Sequence, residues 1–362
     1  MDYGNEGMIA ELTELEGGTT KHERKSSIFA TRDGHDMEFS NVLLSTKSKD
    51  AEKKPPKEIL KSVSGSFQPK TLTAIMGPSG SGKTSLLKVL TGRISDSSKL
   101  SLSGEIQLDH KVVDPTNIDI RRTIAYVEQE VSIPATCTPR EAITFSARLR
   151  LDKNLSDAEI DEIVNDILDN LSLKHCADTL IGGGILMSGG LSGGEKKRVQ
   201  CGVELVTNPE IILLDEPTSG LDSYSAQNLI EFLKKIADAG ATVIVTIHQP
   251  PPPVVRKIDN LLLLLSGRIL YDGPMGKPVE KKFTEKGFPK PDDYNIADWI
   301  LVRSEMLTVL YTQYKIFYRF LLLLYACILR RDSEKFPFAI LLYATASISN
   351  QFGRRAGKCG IL

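Results

Sequence analysis

Apolar residues in this chain come in short blocks separated by longer stretches in which they recur at helical spacing. Leu72–Met76, Ile211–Leu214, Thr242–Ile247 and Leu261–Leu265 are continuous apolar runs, short enough for strands buried on both faces. The segment TIAYVE ending at Glu128 reads the same way. Helical patterning follows in SLLKVLTG after residue 84, then in AITFSARLRL, DAEIDEIVNDILDNLSL and EKKRVQCGVELV between residues 138 and about 206, and in Ala226–Ala239. Thr138, Pro139 and Glu141 form a helix start: a capping hydroxyl, a first-turn proline and the acid of a capping box. Strands alternating with helices predict a parallel α/β core. The helical stretch, placed at about 130–206, predicts a subdomain inserted into it. Strand-like patterning begins at Met37, and the lysine-rich, proline-bearing segment Ser45–Lys57 interrupts it as a solvated loop. Residues 1–36 are polar and aperiodic, which predicts a disordered lead.

The remaining composition narrows the class. Hydrophobic residues make up 41% and charged residues 25% of 362 positions, enough for a large buried core. The net charge of −1 gives no global field for nucleic acid, and no nucleic-acid partner is expected. Five cysteines lie apart with no CxxC pair, which argues against a disulfide framework or a zinc site. The N-terminus lacks a basic segment followed by an apolar one, so no secretory signal is read there. A spanning helix needs roughly 20 apolar residues. Phe320–Leu329 and Phe336–Ile348 come closest and fall short.

The chemistry starts at GPSGSGKT, which runs from Gly77 through Pro78, Ser79, Gly80, Ser81, Gly82 and Lys83 to Thr84, with Ser85 behind it. The full pattern G-x-x-x-x-G-K-[ST] between an apolar strand and a helix is a phosphate-binding loop. Glycines let backbone N–H groups turn inward as an anion nest, and the helix adds its positive end. Lys83 can reach terminal phosphates, and the Thr84 hydroxyl can bind Mg²⁺. The run Ile211–Leu214 ends in Asp215 and Glu216. Asp215 there sits beside a metal, and Glu216 one position on can polarise a water. An apolar strand ending in acid is common by itself; the upstream loop gives it meaning. Gln129 and His248 each follow a strand-like run, as a metal-sensing amide and a phosphate-holding imidazole or, taken alone, as ordinary polar residues at strand ends.

LSGGE, Leu191–Glu195, precedes another helical run with the small residues Ser192, Gly193 and Gly194. That makes a second anion-suited helix start, with a local echo MSGG just before it. A chain with one phosphate loop has no evident use for a second such site on itself, so the spacing points to a head-to-tail pair of chains.

These segments, with SGLD at Ser219–Asp222, stand in an order that resembles the ATP-binding-cassette ATPases. The resemblance implies an α/β P-loop NTPase fold: a RecA-like core, an inserted helical subdomain and a small antiparallel β-region. It implies ATP and Mg²⁺ as ligands, with Gly77 to Ser85 on ATP and Thr84, Gln129 and Asp215 on the metal. It implies Glu216 as catalytic base with His248 and Gln129 in the catalytic set. Ser192, Gly193, Gly194 and Glu195 would act in trans on the ATP of a second cassette, with Asp222 at the dimer interface. The family stacks adenine on an upstream aromatic; Phe39 is the candidate here, with Val42 as an apolar substitute.

TIHQPPPP, LLLLLSGRILYDGP, VQCGVELVTNPEIILLDEPTSGLDS and NIADWIL resemble the G subfamily of half-transporters. This implies a nucleotide domain at 37–303 and, at 304–362, a connecting helix with the start of a membrane domain, the chain ending before that domain is complete. It further implies the cytoplasmic face of a membrane, contact with the membrane surface, and export of lipid-like or xenobiotic substrates. The alternatives are a non-transporting cassette that pairs with full-length subunits, or a soluble cassette ATPase of DNA repair or translation. The last would need a long coiled-coil insertion or a second cassette, and neither is seen.

Overall fold

A computed structural model of the chain describes residues 32–304 apart from 48–55, 118–119, 121–122, 183–188 and 293. The expectations for 1–31 and 305–362, including the connecting helix, lie outside the described residues.

Five apolar runs become adjacent strands of one sheet. In spatial order it reads β10 (Arg268–Pro274), β9 (Asn260–Leu265), β3 (Leu72–Met76), β8 (Thr242–Thr246), β7 (Ile211–Leu214) and β6 (Ile124–Val127). All neighbours pair parallel except β10, which returns antiparallel on β9. Every residue of β3, β6, β7 and β8 is buried. That is why those stretches read as continuous apolar blocks and not as alternation.

A second sheet is antiparallel, in the order β2 (Glu58–Phe67), β1 (Met37–Thr46), β4 (Leu100–Leu108) and β5 (Lys111–Val113). Its strands are half buried. Its inner face joins one hydrophobic cluster with helix α1 (Lys83–Leu90) and one face of the large sheet.

The other face of the large sheet belongs to a second cluster with the remaining helices. Helices α2 (Pro139–Arg150), α3 (Asp157–Asn170) and α4 (Gly193–Leu205) follow β6 and precede β7. Each opens with a complete capping box, on Thr138–Glu141, Ser156–Glu159 and Ser192–Glu195. Such a box satisfies two orphan donors at each start. Helix α5 (Ser223–Asp238) packs Leu229, Ile230, Leu233 and Ile236 inward at helical spacing. Short α6 (Pro252–Val255), α7 (Lys277–Glu285) and a final helix described over 296–304 complete the set, with Trp299 packed on Phe283.

Residues 32–36, assigned from their polarity to the lead, lie along the core. The Arg32 N–H donates to the Ala239 carbonyl at 2.9 Å, and the His35 carbonyl accepts from the Thr242 hydroxyl at 2.6 Å. Tertiary partners over two hundred residues away supply this order, and a local hydropathy pattern carries no trace of them. Among the described residues, no helix is long and apolar enough to cross a membrane.

Candidate functional site

Strand β3 ends at Met76, and the chain turns through residues 77–82 into α1. Gly77 is obligatory: a Cβ there would lie 2.0 Å from the Leu264 carbonyl oxygen of neighbouring β9. Gly82, at φ 109°, forms the left-handed N-cap of α1. The first turn of α1 carries no acid, so its exposed N–H groups stay open to an anion. Lys83 folds back, and its ammonium donates to the Gly77 carbonyl at 2.8 Å and the Pro78 carbonyl at 3.2 Å. Burial lowers its pKa, partly offset by the charges of Glu216 and Asp215. Ser81 is buried, and its hydroxyl has no hydrogen-bond partner. Such an orphan donor beside a cationic nest fits an oxyanion ligand.

Asp215 caps β7 and is 1% exposed. One oxygen accepts from the Thr84 hydroxyl at 3.1 Å and from the Thr246 hydroxyl at 2.7 Å; the other lies 3.5 Å from the Tyr126 hydroxyl. Tyr126 in turn lies under the Arg93 guanidinium, 4.4 Å from the ring centre. A buried carboxylate held by neutral hydroxyls is an oxygen-rich place for a hard cation. Thr84 and Asp215 therefore suit Mg²⁺.

Glu216 has φ 45°, an uncommon left-handed conformation for a glutamate. Its N–H donates to the same Thr246 hydroxyl at 2.7 Å, and its carboxylate accepts from the Gln129 amide at 3.0 Å. His248 Nε2 lies 3.3 Å from the Ser79 hydroxyl, across the loop from β3. Thr84, Gln129, Asp215, Glu216, Ser79 and His248 thus come from four separate stretches of sequence and meet at the C-terminal ends of β3, β6, β7 and β8. Ligands in open α/β sheets bind at that edge.

The LSGGE segment forms the start of α4. Ser192 accepts from the Glu195 N–H at 3.3 Å and donates its hydroxyl to Glu195 at 2.7 Å. These bonds, the Ser192 hydroxyl first, hold the Glu195 carboxyl down at about 2. Gly193 and Gly194 lie near Gly220 and Ser225. Asp222 caps α5 by accepting from the Ser225 N–H at 3.0 Å; the Ser225 hydroxyl first and this N–H second lower its pKa. Among the described residues, the side chains of Ser192 and Glu195 bond to each other and to His175, not to the phosphate loop.

Four participants carried no motif. Thr246 bridges both carboxylate positions; Tyr126 backs Asp215. On α4, the buried Lys197 ammonium donates to the Glu128 and Gln129 carbonyls at 2.6 and 2.9 Å, and the Gln200 amide donates to the Glu130 carbonyl at 2.8 Å. Helix α4 therefore holds the backbone of the Gln129 loop. The only signal in the sequence was polar side chains at positions whose neighbours are buried.

The adenine expectation is corrected at both positions. Phe39 is 2% exposed and stacked on Phe67 at 5.7 Å, and Val42 is equally buried. Asn41, at φ 52°, inserts a bulge, so the inward face of β1 runs Met37, Phe39, then Val42, Leu44. Both side chains serve the core over α1.

The profile of the family described as "ABC transporter" matches residues 60–219. ABC transporter G family member 7 of Arabidopsis thaliana is 41% identical over 264 residues, covering 73% of this chain and 35% of that protein. ABC transporter G family member 22 of Dictyostelium discoideum is 44% identical over 253 residues, covering 69% of this chain and 40% of that protein. The chain thus spans well under half the length of these relatives. Among solved structures, the dimeric bacterial ABC transporter cassette MJ0796 aligns with a TM-score of 0.56 at 25% identity, over 66% of this chain and 99% of that one. The post-hydrolysis dimer of that cassette with ADP and Pi shares the fold, at a TM-score of 0.55 and 24% identity.

Proposed function

This chain belongs to the ABC transporter family and carries its ATPase cassette, and from that premise we propose that it powers a G-type half-transporter by closing on ATP with a second cassette. The observation that carries the reading is the hydroxyl chain Thr84–Asp215–Thr246–Glu216, which couples the phosphate loop to the acid one residue beyond the strand.

In this reading Gly77 to Ser85 wrap the phosphates, and Lys83 leaves its two carbonyl acceptors to reach the terminal phosphate. Thr84, Gln129 and Asp215 offer the oxygen donors that Mg²⁺ takes, and the ion would neutralise phosphate charge there. Glu216 accepts a proton from water as the water oxygen bonds to the γ-phosphorus and the bond to ADP breaks. His248, held by Ser79, sits where it can fix the γ-phosphate. Ser192, Gly193, Gly194 and Glu195 present a second helix start to the partner's ATP, and Asp222 lies at the dimer interface. The cassette occupies 37–303, and 304–362 leads toward a membrane domain. The working place is then the cytoplasmic face of a membrane, and the cargo is lipid-like or xenobiotic.

The test is Glu216→Gln in the purified chain. ATP should then drive a stable dimer, seen by light scattering, with turnover reduced at least a hundredfold. Normal turnover in that variant would remove Glu216 from the role of base.

A further inference from the structure

Behind helix α4, three side chains of metal-ligating type converge. One ring nitrogen of His175, Cys176 Sγ and one Glu195 oxygen all lie within 4.8 Å of one another. His175 and Cys176 come from the tight turn of helix at Lys174–Cys176 after α3, and Glu195 from the first turn of α4. We infer that this cluster is a binding site for a borderline-soft divalent cation of the zinc class, clipping helix α4 to the end of α3.

The donor set selects the ion. One imidazole, one thiolate and one carboxylate suit zinc and not Mg²⁺, which takes oxygen alone. With bonds of about 2.0–2.3 Å in tetrahedral geometry, the donors would stand roughly 3.3–3.6 Å apart. His175 Nε2 and Glu195 Oε1 are now at 2.9 Å, so they need only part slightly. The arrangement around Glu195 is already divided. Its Oε2 accepts from the Ser192 N–H and hydroxyl, while Oε1 faces His175. An ion on Oε1 therefore leaves the capping box of LSGGE intact.

Cys176 can release its proton without orphaning a neighbour. Its thiol donates to the Leu173 carbonyl at 3.4 Å, and that carbonyl also accepts the Cys176 N–H. Binding forms one metal–sulfur bond and sends one thiol proton to solvent. With His175 neutral, the thiolate and carboxylate balance the two positive charges, so the half-buried site takes no net charge. Burial and the Glu195 charge push the Cys176 thiol up, with Arg198 offsetting part of this, so it is the ion's own charge that would draw the proton off. A fourth position stays open to water, since His175 is exposed.

The test uses the full chain and cobalt(II) or zinc(II) alone. Wild type should bind one ion, with a thiolate-to-cobalt charge-transfer band and release of about one proton. Cys176→Ser should lose the band, and His175→Gln should weaken binding at least about tenfold. Zinc should also slow alkylation of Cys176 in the unmutated chain, read peptide by peptide, which needs no variant to fold. A band that survives in Cys176→Ser would place the metal on another thiol and overturn the site. Binding without a thiolate band, as at the Asp36–Glu38–His110 cluster, would overturn it equally, as would alkylation of Cys176 at an unchanged rate.

Discussion

Replacing Thr246 by valine keeps shape and removes one hydroxyl that serves both carboxylate positions. Thr246 is fully buried on β8. Its hydroxyl donates to Asp215 at 2.7 Å and accepts the Glu216 N–H at 2.7 Å. A hydrogen bond to a charged group contributes about 1.5–3 kcal/mol, and a buried donor left unpaired costs about 1–3 kcal/mol. Glu216 also holds a left-handed φ of 45°, a strain of order 1–3 kcal/mol that the lost bond helps to secure. Some of this relaxes away, because Thr84 still bonds Asp215. A net loss of about 2–4 kcal/mol is expected. At about 2–4 °C per kcal/mol for a domain of this size, Tm should fall by roughly 4–16 °C. Turnover should suffer separately. If the freed backbone lets Glu216 leave its pose at a cost of about 1.5–3 kcal/mol, kcat drops roughly ten- to a hundredfold. KM for ATP should barely change, because the phosphate loop is untouched. The assays are thermal unfolding and steady-state phosphate release. A variant within about 1 °C of wild type, with unchanged kcat, would refute the argument that one hydroxyl sets both carboxylates.

Lys197→Met should remove a donor from the Glu128 and Gln129 carbonyls and from the Gln200 amide oxygen, and lower kcat more than ATP affinity; equal kcat would show that Lys197 does not position Gln129. Gly77→Ala forces a Cβ onto the Leu264 carbonyl and should abolish nucleotide binding in a chain whose far-ultraviolet circular dichroism is largely retained; normal ATP affinity would contradict the close approach. His35 stands 2.6 Å from both Asp109 and Glu210. Burial opposes its charge, but the two carboxylates prevail and raise its pKa above 6.5. Its stabilising contribution is then complete below pH 6.5 and fades as pH rises through the raised folded value. His35→Gln should therefore flatten the decline of stability across that window, as measured by urea unfolding; an identical pH profile would sink the assignment.

The parts of this protein written in contiguous residues were legible from sequence. GPSGSGKT needs a strand before it and a helix after it, and β3 and α1 lie there. The capping box at Thr138 and Glu141 formed as its spacing required, because the partners are three residues apart. The doubly buried strands announced themselves because burial on both faces leaves almost only apolar residues, with Thr73, Thr242 and Thr246 as the polar exceptions. The antiparallel sheet was not assigned strand by strand: β2 and β4 are half exposed and broken by Ser and Gly. The bulge at Asn41 turned Val42 onto the same inward face as Phe39, and no local signal marks the register shift it causes.

What only the tertiary structure decided is which separated residues touch. Thr246 lies 31 positions from Asp215 and is brought to it by strand order; Lys197 lies 68 from Gln129 and is brought to it by the packing of α4. Sequence fixes which groups a chain owns and how each turn of backbone will run, because those depend on near neighbours. Long-range contact depends on strand order and helix packing, which no short window contains. The phosphate loop was therefore readable in eight letters, while the hydroxyl that ties it to Glu216 was only one threonine in a buried strand.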